Sequence, residues 1–199
     1  MCQGLMKRYF LQSRRIKGFR KMSPLKLNVG CGQVRLAGWV NIDIDGSADL
    51  VLDVRERLPF DDGTVDFIYS EHLLEHLTYE EGGRFLRECF RCLKKDGVSR
   101  IATPDLDYVC HKYDHDWANQ DWLSWPGFEF IKTRGKMINV AFRYWGHQYL
   151  YNEEDLRQQL TEAGFSNARR CALNTSAHPE LLGLETRKDS LLIMEAVKE

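Results

Sequence analysis

The chain has 199 residues, with 28 Lys/Arg against 29 Asp/Glu and a hydrophobic share of 43%. This suits one ordinary domain with some elaboration. No apolar run approaches the ~20 residues needed to span a bilayer. The start of the chain lacks the apolar core of a secretory signal, since its longest hydrophobic run is Tyr9-Phe10-Leu11. The six cysteines (Cys2, Cys31, Cys89, Cys92, Cys110 and Cys171) follow no disulfide framework, so reduced thiols and a cytoplasmic location are expected. Cys89-x-x-Cys92 falls within a helical pattern and has no second pair, so it reads as two thiols on a helix and no metal is expected.

Charge is split unevenly. Residues 1–23 hold seven of the Lys/Arg and no acid, with Leu5, Tyr9, Phe10, Ile16 and Phe19 interspersed. One reading is a helix gripping an anionic surface such as nucleic acid or lipid. The other is a solvated arm, or a helix packed over the mouth of a ligand site. The second is preferred, because no groove-reading motif accompanies the arm.

Leu25-Lys26-Leu27-Asn28-Val29 reads as a buried parallel strand that stops at the glycine turn Gly30-Cys31-Gly32. Glycines there allow a ligand to approach the backbone. Trp39 to Asp43 is a second apolar strand ending in a carboxylate, which suits ribose hydroxyls at the tip of a doubly wound sheet. Only Gln33 to Gly38 separate the turn from that strand, whereas a parallel crossover normally takes about a dozen residues and a helix. An abbreviated first crossover is therefore expected, and a full-length helix between Gly32 and Trp39 would refute it. Leu50-Val51-Leu52 is a short third strand followed by Asp53, and Val65 to Ser70 is a fourth after the Asp62-Gly63 turn.

Thr78-x-x-Glu81 is a capping box opening a helix whose Phe85, Leu86, Cys89 and Leu93 share one face. Lys94 and Lys95 suit its carboxyl end, and Asp96-Gly97 is expected to stop it. Val98 to Thr103 is the fifth strand, closed by Pro104. Residues 105–146 then hold four of the five tryptophans (Trp117, Trp122, Trp125 and Trp145), and are too long for a plain loop. They read as an inserted helical lid over the carboxyl ends of the strands, its rings forming either a substrate pocket or a small core of their own. Asn152 caps a helix from Glu153 to Ala163 that Gly164 ends. Ala168 to Leu173 and Ser190 to Val197 read as the last two strands.

Taken together, Asn28-Val29-Gly30-Cys31-Gly32, Asn41-Ile42-Asp43, Asp53, Leu58-Pro59-Phe60, Asp66 to Ser70 and Glu71-His72-Leu73-Leu74-Glu75-His76-Leu77 resemble a class I S-adenosylmethionine-dependent methyltransferase of the methyltransferase type 11 kind. The resemblance covers residues 25–104 well. It covers 147–197 less well, through His147, Leu156, Leu160 and Ala163-Gly164-Phe165. It does not reach 1–24 or 105–146. One departure is Asn28, where the family usually carries an acid. The fold this implies is α/β: a Rossmann-like, seven-stranded, mostly parallel sheet with a shortened first crossover and a helical, aromatic insert after the fifth strand. The last strand would be antiparallel and lie beside the fifth. The implied organisation is a basic N-terminal arm or helix over 1–24, and a methyltransferase domain over 25–199 with its inserted lid at 105–146.

The resemblance implies S-adenosylmethionine as cofactor and S-adenosylhomocysteine as product. It assigns Gly30, Cys31 and Gly32 to the methionine end of the cofactor and Asp43 to the ribose hydroxyls, with Ile44 also among the cofactor-binding residues. Asp53 with Val54 would meet the adenine amino edge, with Asp45 and Asp49 as alternatives to Asp53. Ser70 and Glu71 would lie beside the sulfonium. A sulfonium methyl is already activated, so the protein mainly aligns the partners and excludes water. If the acceptor needs a base, His72, Asp105 and His147 are the candidates, each weighed against a capping or packing role. Glu75-His76 reads as a structural helix pair, and His111 and His115 as surface residues. The preferred function is methyl transfer to a small-molecule or saccharide acceptor. The alternatives are an RNA or other macromolecular methyltransferase using the basic arm, and a non-catalytic cofactor binder. A nicotinamide enzyme is disfavoured, because the glycine turn lacks the full G-x-G-x-x-G and its helix.

Overall fold

A computed structural model describes residues 15–199; residues 1–14, most of the basic arm, lie outside the described residues. The strands are β1 (Lys26–Val29), β2 (Val40–Asp43), β3 (Leu50–Val51), β4 (Val65–Glu71), β5 (Leu93–Thr103), β6 (Asn167–Arg170) and β7 (Leu192–Val197). They form a single sheet in the order β3-β2-β1-β4-β5-β7-β6. Every pairing from β3 to β5 is parallel, and β7 runs antiparallel to both its neighbours, β5 and β6. The helices are α1 (Tyr79–Cys92), α2 (Leu106–Asp114), α3 (Arg134–Arg143) and α4 (Glu153–Ala163).

β1 and β2 pair in parallel, with Leu27 opposite Val40, yet residues 30–39 contain no helix. Buried side-chain amides take its place. Asn28 Nδ2 donates to Val34 O at 3.0 Å and to Asn41 Oδ1 at 2.9 Å. Asn41 Oδ1 also accepts from Leu36 N at 2.8 Å, and its Nδ2 donates to Asp49 Oδ2 at 2.7 Å. Asp49 accepts from Asn41 N as well and pairs with Arg35. The loop's polar groups thus find partners on the strands, as a buried backbone requires. At the turn itself, Gly30 has φ +72°, and a Cβ there would fall 2.8 Å from Leu73.

On one face of the sheet, Leu27, Val29, Ile42, Ile68 and Ile101 share the main core with Phe85 and Leu86 of α1 and Leu156 and Leu160 of α4. The Thr78 capping box is present, Asn152 caps α4, and Gly164 ends α4 in the left-handed conformation. A Cβ at Gly82 would sit 2.6 Å from Tyr151 Oη, so that glycine lets α1 lie close to its neighbours.

α1 stops at Cys92, earlier than Lys94, Lys95 and the Asp96-Gly97 pair suggested. Lys198 Nζ reaches across from the end of β7 to the carbonyls of Phe90 (2.7 Å) and Leu93 (2.8 Å) and fills the capping role expected of the two lysines. Lys94 instead turns to Asp66, at 2.8 Å from both carboxylate oxygens. The chain passes directly into β5, through an irregularity in which Asp96 takes φ +63°.

The other face carries Trp39, Tyr69 and Val98, packed against Leu36, Leu181 and Leu184. The segment from 171 to 191 is fastened there by a buried ionic network. Arg100, whose side chain is 0% exposed, pairs with Glu185 and Glu195, each at 2.6 Å, and donates to Thr175 O. Arg169 joins Glu195 at 2.6 Å. In the insert, Phe128, Ile131, Met137 and Val140 form a separate small core with Tyr113, Trp117 and Trp122. The described end of the basic arm folds back: Ile16, Phe19 and Met22 pack on the main core, and Arg20 pairs with Asp61 at 3.0 Å.

Two substitutions test the first crossover. Asn41→Ala strips partners from Leu36 N, Asn28 and Asp49, and should lower unfolding free energy by about 2–4 kcal/mol in urea titrations, since each buried unsatisfied group costs about 1–3 kcal/mol. Gly30→Ala combines backbone strain with a steric clash, each worth on the order of 1–3 kcal/mol. Adding Leu73→Ala should recover the clash contribution and leave the backbone contribution.

Candidate active site

The residues assigned to the cofactor all lie at the carboxyl ends of the parallel strands, where open α/β sheets bind ligands. Gly30 and Cys31 follow β1 and donate their amides to Ile42 O at 2.8 and 3.1 Å. Gly32 N donates to Asp43 Oδ2 at 2.8 Å, which ties the turn to the acid at the tip of β2. Asp43 Oδ1 accepts from Asp45 N, and each oxygen retains a lone pair. A Cβ on Gly32 would meet nothing within 4 Å, so this side of the turn is open. Beside Asp43, Ile44 is 69% exposed, an apolar surface at the rim of the turn. Burial, reinforced by the Asp43 charge, pushes the Cys31 thiol up to about 11, so at neutral pH it is an inert turn residue.

Asp53 follows β3 and is gripped by Arg55, with Nη2 at 2.6 Å from Oδ2 and Nε at 2.9 Å from Oδ1; that hydrogen bond holds its carboxyl below the ordinary range. Val54 is buried next to it, and Ser70 is buried at the end of β4. Glu71 is held by the segment crossing from the second face. Its carboxylate accepts from Thr186 N (2.9 Å), Thr186 Oγ1 (2.7 Å), Arg187 N (3.0 Å) and Ser190 Oγ (2.8 Å).

Beyond the ends of β4 and β5 lies a cavity of about 880 Å³ between the insert and residues 186–191. His72, Asp105 and His147, the three candidate bases, all line it, as do Trp122, Trp125 and Trp145. The structure thus brings together residues that are far apart in sequence. Two of its wall residues sit in left-handed backbone: His72 at φ +50° and Trp145 at φ +57°. Strain of this kind concentrates at functional sites.

Each candidate base has a different environment. Asp105 caps α2 through Asp107 N (3.0 Å) and pairs with Arg170 at 2.5 Å, so both of its oxygens are engaged. His72 Nδ1 lies 3.0 Å from Glu75 Oε1, and its Nε2 is buried without a hydrogen-bond partner, 3.8 Å from Asp189. His147 Nδ1 contacts Ala141 O at 2.8 Å, which leaves Nε2 as the free ring nitrogen. Burial pushes the His147 imidazole below its ordinary value.

Glu75 and His76 lie in a single 3-10 turn, Leu74–His76, not in a longer helix. Glu75 is 0% exposed and accepts from Thr103 Oγ1 at 2.9 Å. His72 Nδ1, at ion-pair distance, is the polar group set against Glu75 Oε1, which makes no other contact to a donor among the described residues. Burial opposes ionisation of Glu75, yet the adjacent His72 outweighs it and holds the carboxyl below its ordinary range. His76 stands 5.2 Å from His147 between ring centroids, and it lines the same cavity. Sequence reasoning placed Glu75-His76 in a structural role. The ring contact of His76 with His147 joins residues far apart along the chain, so no local signal marked it. Nothing local marked Thr186 or Ser190 as partners of Glu71.

Residues 27–101 match a family model described as a methyltransferase domain. A Mycobacterium tuberculosis protein named a probable S-adenosylmethionine-dependent methyltransferase is 25% identical over 186 residues, covering 84% of this chain. The chain spans 57% of the length of that relative. Among solved structures, a Thermotoga maritima SAM-dependent methyltransferase aligns with a TM-score of 0.55 at 16% identity, covering 98% of this chain and 95% of that one. The Burkholderia thailandensis 1,6-didemethyltoxoflavin-N1-methyltransferase, solved with S-adenosylhomocysteine bound, aligns with a TM-score of 0.51 at 14% identity, covering 87% of this chain and 70% of that one. Residues 27–101 thus carry the match to a methyltransferase domain, and the seven-stranded sheet, in the order β3-β2-β1-β4-β5-β7-β6, has the Rossmann-like fold of these S-adenosylmethionine-dependent methyltransferase neighbours.

Proposed function

We propose that this chain transfers a methyl group from S-adenosylmethionine to a small-molecule or saccharide acceptor held in the cavity beneath the 105–146 insert. The observation that carries this reading is the cavity itself. Its volume of about 880 Å³ falls within the range of small-ligand sites. Three tryptophans supply flat apolar walls, and histidine and carboxylate groups supply polar points, a combination suited to a polyol or sugar ring. In this reading the insert is a lid that keeps water from the transfer, and residues 25–199 act as the catalytic domain.

When bound, S-adenosylmethionine supplies a methyl on a positively charged sulfur, already activated for displacement. The protein's part is placement. Gly30, Cys31 and Gly32 admit the methionine end, and Asp43 accepts hydrogen bonds from the ribose hydroxyls. Ile44 offers its exposed side chain to the face of the adenine. Asp53 and the Val54 backbone meet the adenine edge. Ser70 and Glu71 border the sulfonium, and Glu71 also fixes residues 186–190 as one cavity wall. For a hydroxyl or amine acceptor, His72 and His147 are the candidate bases, each with Nε2 free. Asp105, with both oxygens engaged, positions the start of α2.

The same reading places the protein in the cytoplasm, in keeping with five free cysteines among the described residues. No described helix is long and apolar enough to cross a membrane. Nucleic-acid binding by the basic arm is the competing proposal. A salt-dependent affinity for RNA that vanishes on deleting residues 1–23 would favour it.

Calorimetric titration with S-adenosylmethionine and S-adenosylhomocysteine, with NAD as control, followed by methyl-transfer assays on a saccharide and small-hydroxyl panel, tests the proposal. Asp43→Ala should weaken cofactor binding by about 1.5–3 kcal/mol, the loss expected for hydrogen bonds to a charged group. An unchanged dissociation constant would remove Asp43 from the site.

A further inference from the structure

We propose that Glu75, His76 and His147 form a divalent-metal site in the wall of the acceptor cavity, with open coordination positions for acceptor oxygens. One ligand atom from each lies within 4.8 Å of the other two. Two imidazoles and a carboxylate suit borderline ions such as Zn2+, Mn2+ or Co2+. Three protein ligands with a vacant fourth position are the arrangement of catalytic zinc sites, whose bonds of about 2.0–2.2 Å would draw these groups together.

Independent observations point the same way. Glu75 Oε1 is fully buried, and it is one of four buried side-chain atoms among the described residues with no hydrogen-bond partner. A second of the four, His72 Nε2, belongs to the residue whose Nδ1 stands 3.0 Å from that oxygen. A fully buried carboxylate oxygen set against a single imidazole nitrogen has lone-pair capacity left that a cation would satisfy. The groups around the three ligands are those a metal site uses to orient its ligands. Thr103 Oγ1 holds the other Glu75 oxygen at 2.9 Å, and Ala141 O engages His147 Nδ1 at 2.8 Å, which leaves Nε2 as the ring nitrogen for a metal. The left-handed pair Trp145 (φ +57°) and Gly146 (φ +84°) immediately precedes His147 and sets the direction in which it enters the cavity. His76 makes a ring contact with His147 and no side-chain hydrogen bond among the described residues, so its nitrogens are available.

The site deepens the methyltransferase reading by naming an acceptor class. A metal with vacant positions in this cavity would take one or two hydroxyl oxygens of a sugar, polyol or catechol and fix the reacting oxygen, and with His147 Nε2 on the metal the base would be His72. This role for the acceptor rests on that reading, whereas the metal site itself rests on the geometry alone.

The test uses the full chain stripped with chelator and titrated with Co2+. The expected result is a saturable d–d absorption at one equivalent, abolished by Zn2+, with quenching of tryptophan emission, because the Trp145 ring lies 5.5 Å from His147. His76→Ala, at an exposed position, should weaken Co2+ binding by at least about 10-fold, the low end of what losing even an outer-shell partner costs a metal site. His147→Asn should do the same. The double variant His111→Ala/His115→Ala removes the stacked pair at the carboxyl end of α2, whose rings are 4.3 Å apart, and should leave Co2+ binding unchanged. Loss of binding in that variant, or no saturable signal in the wild type, overturns the site. S-adenosylhomocysteine titrated into the same sample reports separately: its binding without a Co2+ signal sinks the metal site alone. A Co2+ signal without S-adenosylhomocysteine binding upholds the site and removes its methyltransferase role.

Discussion

The Asn41 side chain is the constraint on which the first half of the sheet depends. Parallel strands are usually joined by a helix that covers them, and here ten residues do the work. Asn41 offers one acceptor and two donors inside the core, and it uses them on the connection, on Asn28 and on Asp49. This also explains why residue 28 is an amide. A carboxylate there would face Val34 O and Asn41 Oδ1, two acceptors, with no donor of its own. The amide at residue 28 thus serves the shorter connection, while the backbone amides of Gly30, Cys31 and Gly32 tie the turn to the end of β2.

The strand tips show a second regularity. Asp43, Asp53 and Glu71 each point from the end of a parallel strand, and each is already oriented by donors of the protein itself. Carboxylates fixed this way lose little entropy when a ligand arrives, which is the basis of preorganised binding. The cavity beyond them is built on the same plan, with His72 and His147 directed by left-handed backbone in or just before them.

Much of this was legible in the sequence where the cause is local. Thr78 with Glu81, Asn152 and Gly164 mark their helix ends because caps act within a few residues. The missing first helix was legible as simple shortage of chain. The end of α1 was not, because its carbonyls are met by Lys198, about a hundred residues away. The same distance hid Glu185 and Glu195 as partners of Arg100, and Thr186 as a partner of Glu71. The aromatic insert was visible as composition, but only the fold divides its rings, with Phe128 in a small core and Trp125 and Trp145 on the cavity.

The segment between β6 and β7 does two jobs at once. Its buried end roofs the second face of the sheet through Glu185 and Leu181, and its exposed end walls the cavity through Arg187 and Lys188. Drift in the former threatens folding, while drift in the latter changes what the cavity admits. What the cavity admits can therefore change at residues 187 and 188 with little cost to stability, whereas a deletion or insertion that shifted Glu185 by one position would break the buried network whatever it did to the cavity.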